Sequence, residues 1–372
     1  MRAAAIINYG EALVVDTFPD PIVPRDGVVL RVDATGICRS DWHAWMGHET
    51  LPGLPHVPGH EMVGVVEEIG ADVTRWGPGD RVTVPFSIGC GECRSCRSGS
   101  LNICDVAFTP GFSHWGSFAE LVAIHHADAN LVSIPPDLDS VPAAALGCRF
   151  VTSFRAVVDR GRLRPGEWLA VHGCGGVGLS AVMIGAALGA RVVALDIDAG
   201  SLARAAELGA EVTIEVGDGD PAATVVAATD GGAHVSIDAV GGTSTALASL
   251  RSLRKRGRHV QVGLMLAGDA TLPIPMEPVI MNEVEILGSR GMPATDYPRV
   301  FELLTAGAID LRRLVGGTVS LDGASAIMQS MGDFAGVGVT VIDISGRAPI
   351  PRSRAPQDPT DRVEAGQSGP VR

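Results

Sequence analysis

Cys90, Cys93, Cys96 and Cys104 stand within fifteen residues in a C-x2-C-x2-C-x7-C pattern. Four thiolates on so short a loop can complete the tetrahedral shell of a zinc ion and leave no position open for chemistry, so the spacing predicts a structural site. An iron–sulfur cluster is the alternative, because the first three cysteines share that spacing, but no Pro follows the last one. Cys38, the pair His60–Glu61 in PGHE and Cys148 in LGCRF carry further metal-binding side chains, dispersed along the chain. Taken singly, a Cys is usually a small buried apolar residue and a His a satisfied polar one, and spacing does not join them.

A second chemistry is written in GCGGVG, where Gly173, Gly175 and Gly178 follow the apolar strand pattern WLAVH and open a small-residue helix. A strand, a Gly-rich turn and a helix in that order form a pyrophosphate-binding turn, in which Gly173, Gly175, Gly176, Val177 and Gly178 offer backbone and a helix N-terminus to the phosphates. Asp196 closes the next strand pattern, VVALD, eighteen residues after Gly178. A carboxylate there accepts hydrogen bonds from the adenosine ribose and repels a 2′-phosphate, and residues 197–201 hold no basic side chain, so the cofactor read from the sequence is NAD rather than NADP. The plain alternative is a Gly-rich core turn with Asp196 capping a loop.

The elements that must position these groups fall into two textures. Up to about Phe150 the chain reads as short strands ending at Gly, Pro or Asp, such as VVLRVDATG, MVGVVEEIG and DRVTVPFS. From Glu167 to about Leu264 strands and helices alternate, which predicts a parallel sheet covered on both faces. We therefore expect an α/β chain: a doubly wound nucleotide-binding domain over 151–281, and a β-rich domain over 1–150 that the segment 282–346 returns to complete. Residues 347–372, rich in Pro and Arg, read as a disordered tail.

The formal net charge of −13 disfavours a nucleic-acid partner. The uncharged run Leu169–Ala190 contains six Gly and the phosphate turn, so a buried strand and helix explains it better than a membrane span. Seven cysteines without a secretory leader point to reduced thiols and a cytoplasmic location.

Taken together, GICRSDWHAWMG (Gly36–Gly47), GHE (Gly59–Glu61), the four-cysteine loop, LGCRF and GCGGVG occur in the order found in medium-chain zinc alcohol dehydrogenases, and the chain resembles that family from Met1 to about Ile344. The resemblance implies a Rossmann domain and a GroES-like catalytic domain, two zinc ions per chain, and NAD. It implies a catalytic zinc on Cys38, His60 and Cys148, with Glu61 beside it and Asp41 orienting a ligand. It further implies that Arg39 pairs with the cofactor pyrophosphate, that Ser40 and His43 relay a proton, and that Phe86 lines the substrate pocket, for which Trp115 is a second candidate. The reaction expected is hydride exchange between an alcohol and its aldehyde or ketone. The 44 positions from Cys104 to Cys148 resemble those of tetrameric microbial members, with a dimer as the alternative. Three other readings stay open: a glutathione-adduct or formaldehyde dehydrogenase, a quinone or enoyl reductase, and a non-catalytic zinc- and nucleotide-binding relative.

Overall fold

The computed structural model describes residues 1–265, 269–333 and 337–345; the expected tail lies outside them. Two sheets organise the chain. Six parallel strands form the first, in the spatial order Val212–Glu215, Arg191–Asp196, Trp168–His172, Ala233–Asp238, Leu253–Gln261 and Glu285–Gly288. Order reverses between Trp168–His172 and Ala233–Asp238, which opens a crevice at the C-terminal strand ends, where doubly wound sheets bind nucleotides.

Alternate residues of these strands enter two separate cores. Leu169, Val171, Val192 and Ala194 pack in one, and Trp168, Ala170, Val193 and Leu195 in the other. A two-residue period buried on both faces is what an all-parallel sheet under helices requires.

The second sheet runs Val315–Val319, Val339–Asp343, Val28–Ile37, Glu61–Ile69, Arg81–Thr83 and Val132–Ser133, with Leu121–Ile124 also paired to Val28–Ile37. The strands Val315–Val319 and Val339–Asp343 of the late chain thus join the sheet built by the first part of the chain. This return comes later than residue 282, because Glu285–Gly288 pairs in parallel with Leu253–Gln261 and belongs to the nucleotide-binding sheet. Its four residues carry too little periodic signal to be read as a sixth strand.

The boundary at 150 is also displaced. Residues 140–160 form one helical stretch, Ser140–Arg160, that crosses it and contains π-helical turns at Leu146–Phe150 and Arg155–Arg160. Its apolar residues Leu146, Phe150, Val151 and Phe154 share a core with Leu169, Leu179 and Ile184, so this stretch, long and apolar enough to span a bilayer, is mostly buried in protein.

The helix Gly176–Ala187 lies so close to the strand before it that a Cβ on Gly178 would sit 1.8 Å from the Gly173 carbonyl oxygen. Replacing Gly178 by Ala is therefore expected to overpack the turn and cost about 1–3 kcal/mol. Urea unfolding would measure it, and an unchanged midpoint would refute the packing role.

Candidate active site and metal centres

Antiparallel register sets Gly36 opposite Glu61. Cys38, one residue beyond Val28–Ile37, and His60, one before Glu61–Ile69, therefore leave the sheet side by side. Cys148 arrives on the π-helical turn Leu146–Phe150, a helix distortion common at functional sites. The ligand atoms of Cys38, His60, Glu61 and Cys148 all lie within 4.8 Å of one another.

Asp41, fully buried, fastens two of these segments. Its Oδ2 accepts from the Cys38 amide at 2.9 Å, and its Oδ1 accepts from the Gly59 amide at 3.0 Å and lies 2.9 Å from His60 Nδ1. A carboxylate at Nδ1 fixes the ring and selects the tautomer that keeps the Nε2 lone pair for a metal. Burial opposes the charged form of His60, but Asp41 and Cys38 outweigh it and hold its pKa well above the ordinary value. Hydrogen bonding from Cys148, with the Arg149 charge, holds the Cys38 thiol well below its usual range despite burial. Two cysteine sulfurs, one of them favoured as the thiolate, and an oriented imidazole fit a zinc ion.

Glu61 is also fully buried and is paired with Arg149, whose Nε donates to Oε1 at 2.9 Å and whose Nη2 donates to Oε2. Burial raises the Glu61 pKa, and the Arg149 charge works against that rise. Three glycines make room for the pair. A Cβ would fall 2.1 Å from Glu61 Oε2 if placed on Gly36, 2.8 Å from Glu61 Cα on Gly147, and 2.4 Å from Arg149 Cδ on Gly176. Gly176 opens the phosphate-turn helix, so Arg149 touches both the metal cluster and the nucleotide site. No motif or spacing in the sequence singles out Arg149, whose one signal is a charge set in the apolar run AAALGCRFV.

The other expected residues divide. Ser40 Oγ lies 3.2 Å from both Cys38 Sγ and His60 Nε2, on the short helix Arg39–Trp45 that also carries the half-buried His43. Arg39 stacks on Trp42 at 4.0 Å and donates to the Met331 carbonyl, which ties it to the end of helix Ala324–Ser330. The Phe86 ring lies 6.1 Å from the His60 ring. Trp115 does not join it: its indole meets Phe18 edge-on at 5.7 Å and donates to the Pro55 carbonyl. Phe112 takes the place expected of Trp115, 5.3 Å from the His60 ring, because the loop turns at Gly111, whose φ is +78°. Nothing in the spacing separates these two aromatics.

In the nucleotide turn, Asp196 Oδ2 accepts from the Cys174 amide at 2.5 Å and Oδ1 from the Asp198 amide at 2.9 Å. The acid thus stands at the mouth of the Gly-rich turn. A Cβ on Gly175 would meet no protein atom, which leaves open space over the helix start for a pyrophosphate.

The four-cysteine loop is closed locally. Asn130 brackets its start, accepting from the Gly89 amide at 2.9 Å and donating to the Gly89 carbonyl at 2.8 Å. The four sulfurs converge, with Cys90 and Cys96 at 4.0 Å and Cys93 and Cys104 at 3.8 Å, and backbone amides of Cys90, Glu92, Cys93, Cys96 and Val106 point at them. Amide donors, first from Asp105 and then from Cys96, bring the Cys93 thiol down to about 7, while burial pushes Cys96 up to about 12. A divalent cation removes that conflict by ionising all four, so the set fits zinc.

Removing Arg149 would strand a buried carboxylate. Arg149→Met is expected to cost about 3–5 kcal/mol in chemical denaturation, and adding Glu61→Leu to recover most of it. A loss below about 1 kcal/mol would contradict a tight buried pair.

The family model described as alcohol dehydrogenase GroES-like domain matches residues 24–136, and the zinc-binding dehydrogenase model matches residues 176–306. An alcohol dehydrogenase of Geobacillus stearothermophilus is 35% identical, over 78% of this chain and 84% of its own length. An NAD-dependent alcohol dehydrogenase of Sulfurisphaera tokodaii is 31% identical over 92% and 99%. The solved alcohol dehydrogenase from Thermus sp. ATN1 superposes with a TM-score of 0.85 at 30% identity, covering 92% of this chain and 99% of that one. With the metal donors and the nucleotide turn already in place, these matches make the chain a member of the zinc-dependent medium-chain alcohol dehydrogenases, an oxidoreductase that exchanges a hydride between an alcohol and NAD.

Proposed function

We propose that Cys38, His60 and Cys148 hold a catalytic zinc, that Cys90, Cys93, Cys96 and Cys104 hold a structural one, and that Ser40 and His43 move the substrate proton. The observation that carries this reading is a hydroxyl 3.2 Å from two of the converging metal donors, since binding a metal alone needs no such group. When bound, zinc supplies Lewis-acid stabilisation of negative charge on the substrate oxygen, and NAD accepts the hydride.

The protein's own groups do the rest. Ser40 accepts the alcohol proton, and His43, three residues along the same helix, passes it outward. Asp41 keeps His60 oriented, and Arg149 holds Glu61 against the cluster. Phe86 and Phe112, whose rings lie 6.1 Å and 5.3 Å from that of His60, would line an apolar pocket suited to a primary or secondary alcohol with an aliphatic or aromatic side chain. Asp196 sets the preference for NAD.

A homo-oligomer, a tetramer with a dimer as the alternative, is supported by the open edge of the nucleotide sheet. Among the described residues its last strand, Glu285–Gly288, has a partner on one side only, and Met276, Ile280 and Met281 stand exposed just ahead of it in the chain. Such an edge calls for a covering chain. None of the seven cysteines is paired in a disulfide, which suits a reducing compartment such as the cytoplasm.

Zinc-loaded protein given NAD and a panel of primary and secondary alcohols is expected to generate NADH, with turnover abolished by a chelator. Cys38→Ser is expected to lower kcat/KM at least about a hundredfold while NAD still binds. Retained turnover would sink the ligand assignment. Asp196→Gly is expected to shift the NADP-to-NAD ratio of kcat/KM by about tenfold or more toward NADP, and an unchanged ratio would remove Asp196 from cofactor choice.

A further inference from the structure

The helix Arg39–Trp45 ends in a backbone device that bears on the proton path. Gly47, at φ +75°, is in the left-handed region; its amide donates to the Ala44 carbonyl at 3.0 Å, and the His48 amide donates to the His43 carbonyl at 2.9 Å. This paired closure is a Schellman motif, and it folds residue 48 back over residue 43. An apolar contact usually fills that position. Here the two side chains are both imidazoles, and their Nδ1 atoms lie 3.0 Å apart.

Trp42 braces the pair, meeting the His43 ring at 5.1 Å and the His48 ring at 5.5 Å, each edge-on. His43 is half-buried and His48 exposed, so the contact runs from the site towards water. Burial is the main cause that lowers the His43 pKa; Arg39 and His48 also lower it, and Cys38 alone raises it. A neutral His43 can accept a proton but holds it weakly, which suits transfer onward.

We propose that His48 is the outer proton carrier of this enzyme, taking from His43 through the Nδ1–Nδ1 hydrogen bond the proton released by alcohol oxidation and delivering it to solvent. The proposal rests on the relay assigned to Ser40 and His43. In each cycle His43 gains a proton at Nε2 and gives one from Nδ1, His48 gains that proton at Nδ1 and loses one from Nε2 to water, and tautomer exchange resets both rings. No electrons move in these steps. His48 touches no reacting atom, so its part is to accept from His43.

The test uses the full-length, zinc-loaded enzyme with benzyl alcohol, or the alcohol of the panel turned over fastest. His48→Gln is expected to lower kcat near neutral pH about tenfold with the KM for NAD unchanged, to raise the solvent deuterium isotope effect, and to regain activity with added imidazole. Gly47→Ala, which keeps the imidazole but disfavours the left-handed turn, is expected to show the same isotope effect. A His48→Gln enzyme with wild-type kcat, isotope effect and pH profile, beside an impaired His43→Gln enzyme, would overturn the role of His48 and leave the relay standing. No loss in either variant would overturn both. A measurement free of turnover decides the geometry: with ¹⁵N-labelled histidine, an Nδ1–Nδ1 coupling across the hydrogen bond is expected, and its absence would overturn the proposal.

Discussion

One carboxylate holds the proposed catalytic centre together. Asp41 accepts from the backbone of Cys38, from the backbone of Gly59 and from the ring of His60. Two of the three proposed ligands thereby hang on a single buried group, and a third strand of chain, bearing Cys148, need only be brought against them. Such a centre is preorganised, since neither Cys38 nor His60 has to search for its position when a metal arrives. The helix that carries Asp41 also carries Arg39, Ser40 and His43, so a distortion of Asp41 would reach the proposed ligands, relay and cofactor contact at once.

The second constraint couples the two domains. A buried Arg–Glu pair is a poor source of stability on its own, because desolvation consumes most of the Coulombic gain. Its value here lies in what it touches. Arg149 reaches from Glu61, beside the metal donors, to Gly176, at the head of the nucleotide helix, and the absent side chains of Gly36, Gly147 and Gly176 are the space the pair occupies. Metal and nucleotide sites are thus neighbours through one guanidinium.

Much of this was legible in the sequence, for identifiable reasons. Local signals translate well: the four-cysteine spacing closes on itself, and GCGGVG sits where a strand meets a helix, because in both cases residues close in sequence must act together. The strands Trp168–His172 and Arg191–Asp196 stood out through unbroken apolar runs that only a doubly covered sheet needs. Long-range signals fared worse. Only the family resemblance joined Cys38, His60 and Cys148, since their proximity comes from register and from a helix no local pattern announced. The helix Ser140–Arg160 was hidden because its Ala- and Val-rich stretch has no polar face to mark a period. Phe112 and Trp115 were indistinguishable until the turn at Gly111 aimed one inward. The His43–His48 contact depends on the handedness of a single glycine, which spacing does not encode.

Strand pairing near Cys38 has a consequence for synthesis on the ribosome. The half of Val28–Ile37 that leads into Cys38, Ala34 to Ile37, is covered on one side only by Thr340–Asp343. At about 5–20 residues per second, the roughly 300 intervening residues take on the order of 15–60 s to emerge. Through that interval the edge of the strand leading into Cys38 lacks this partner, whereas the four-cysteine loop has its full donor set within fifteen residues. One donor set is thus complete within a single loop, whereas the strand that leads into the other gains its last partner only once residues 340–343 have been made.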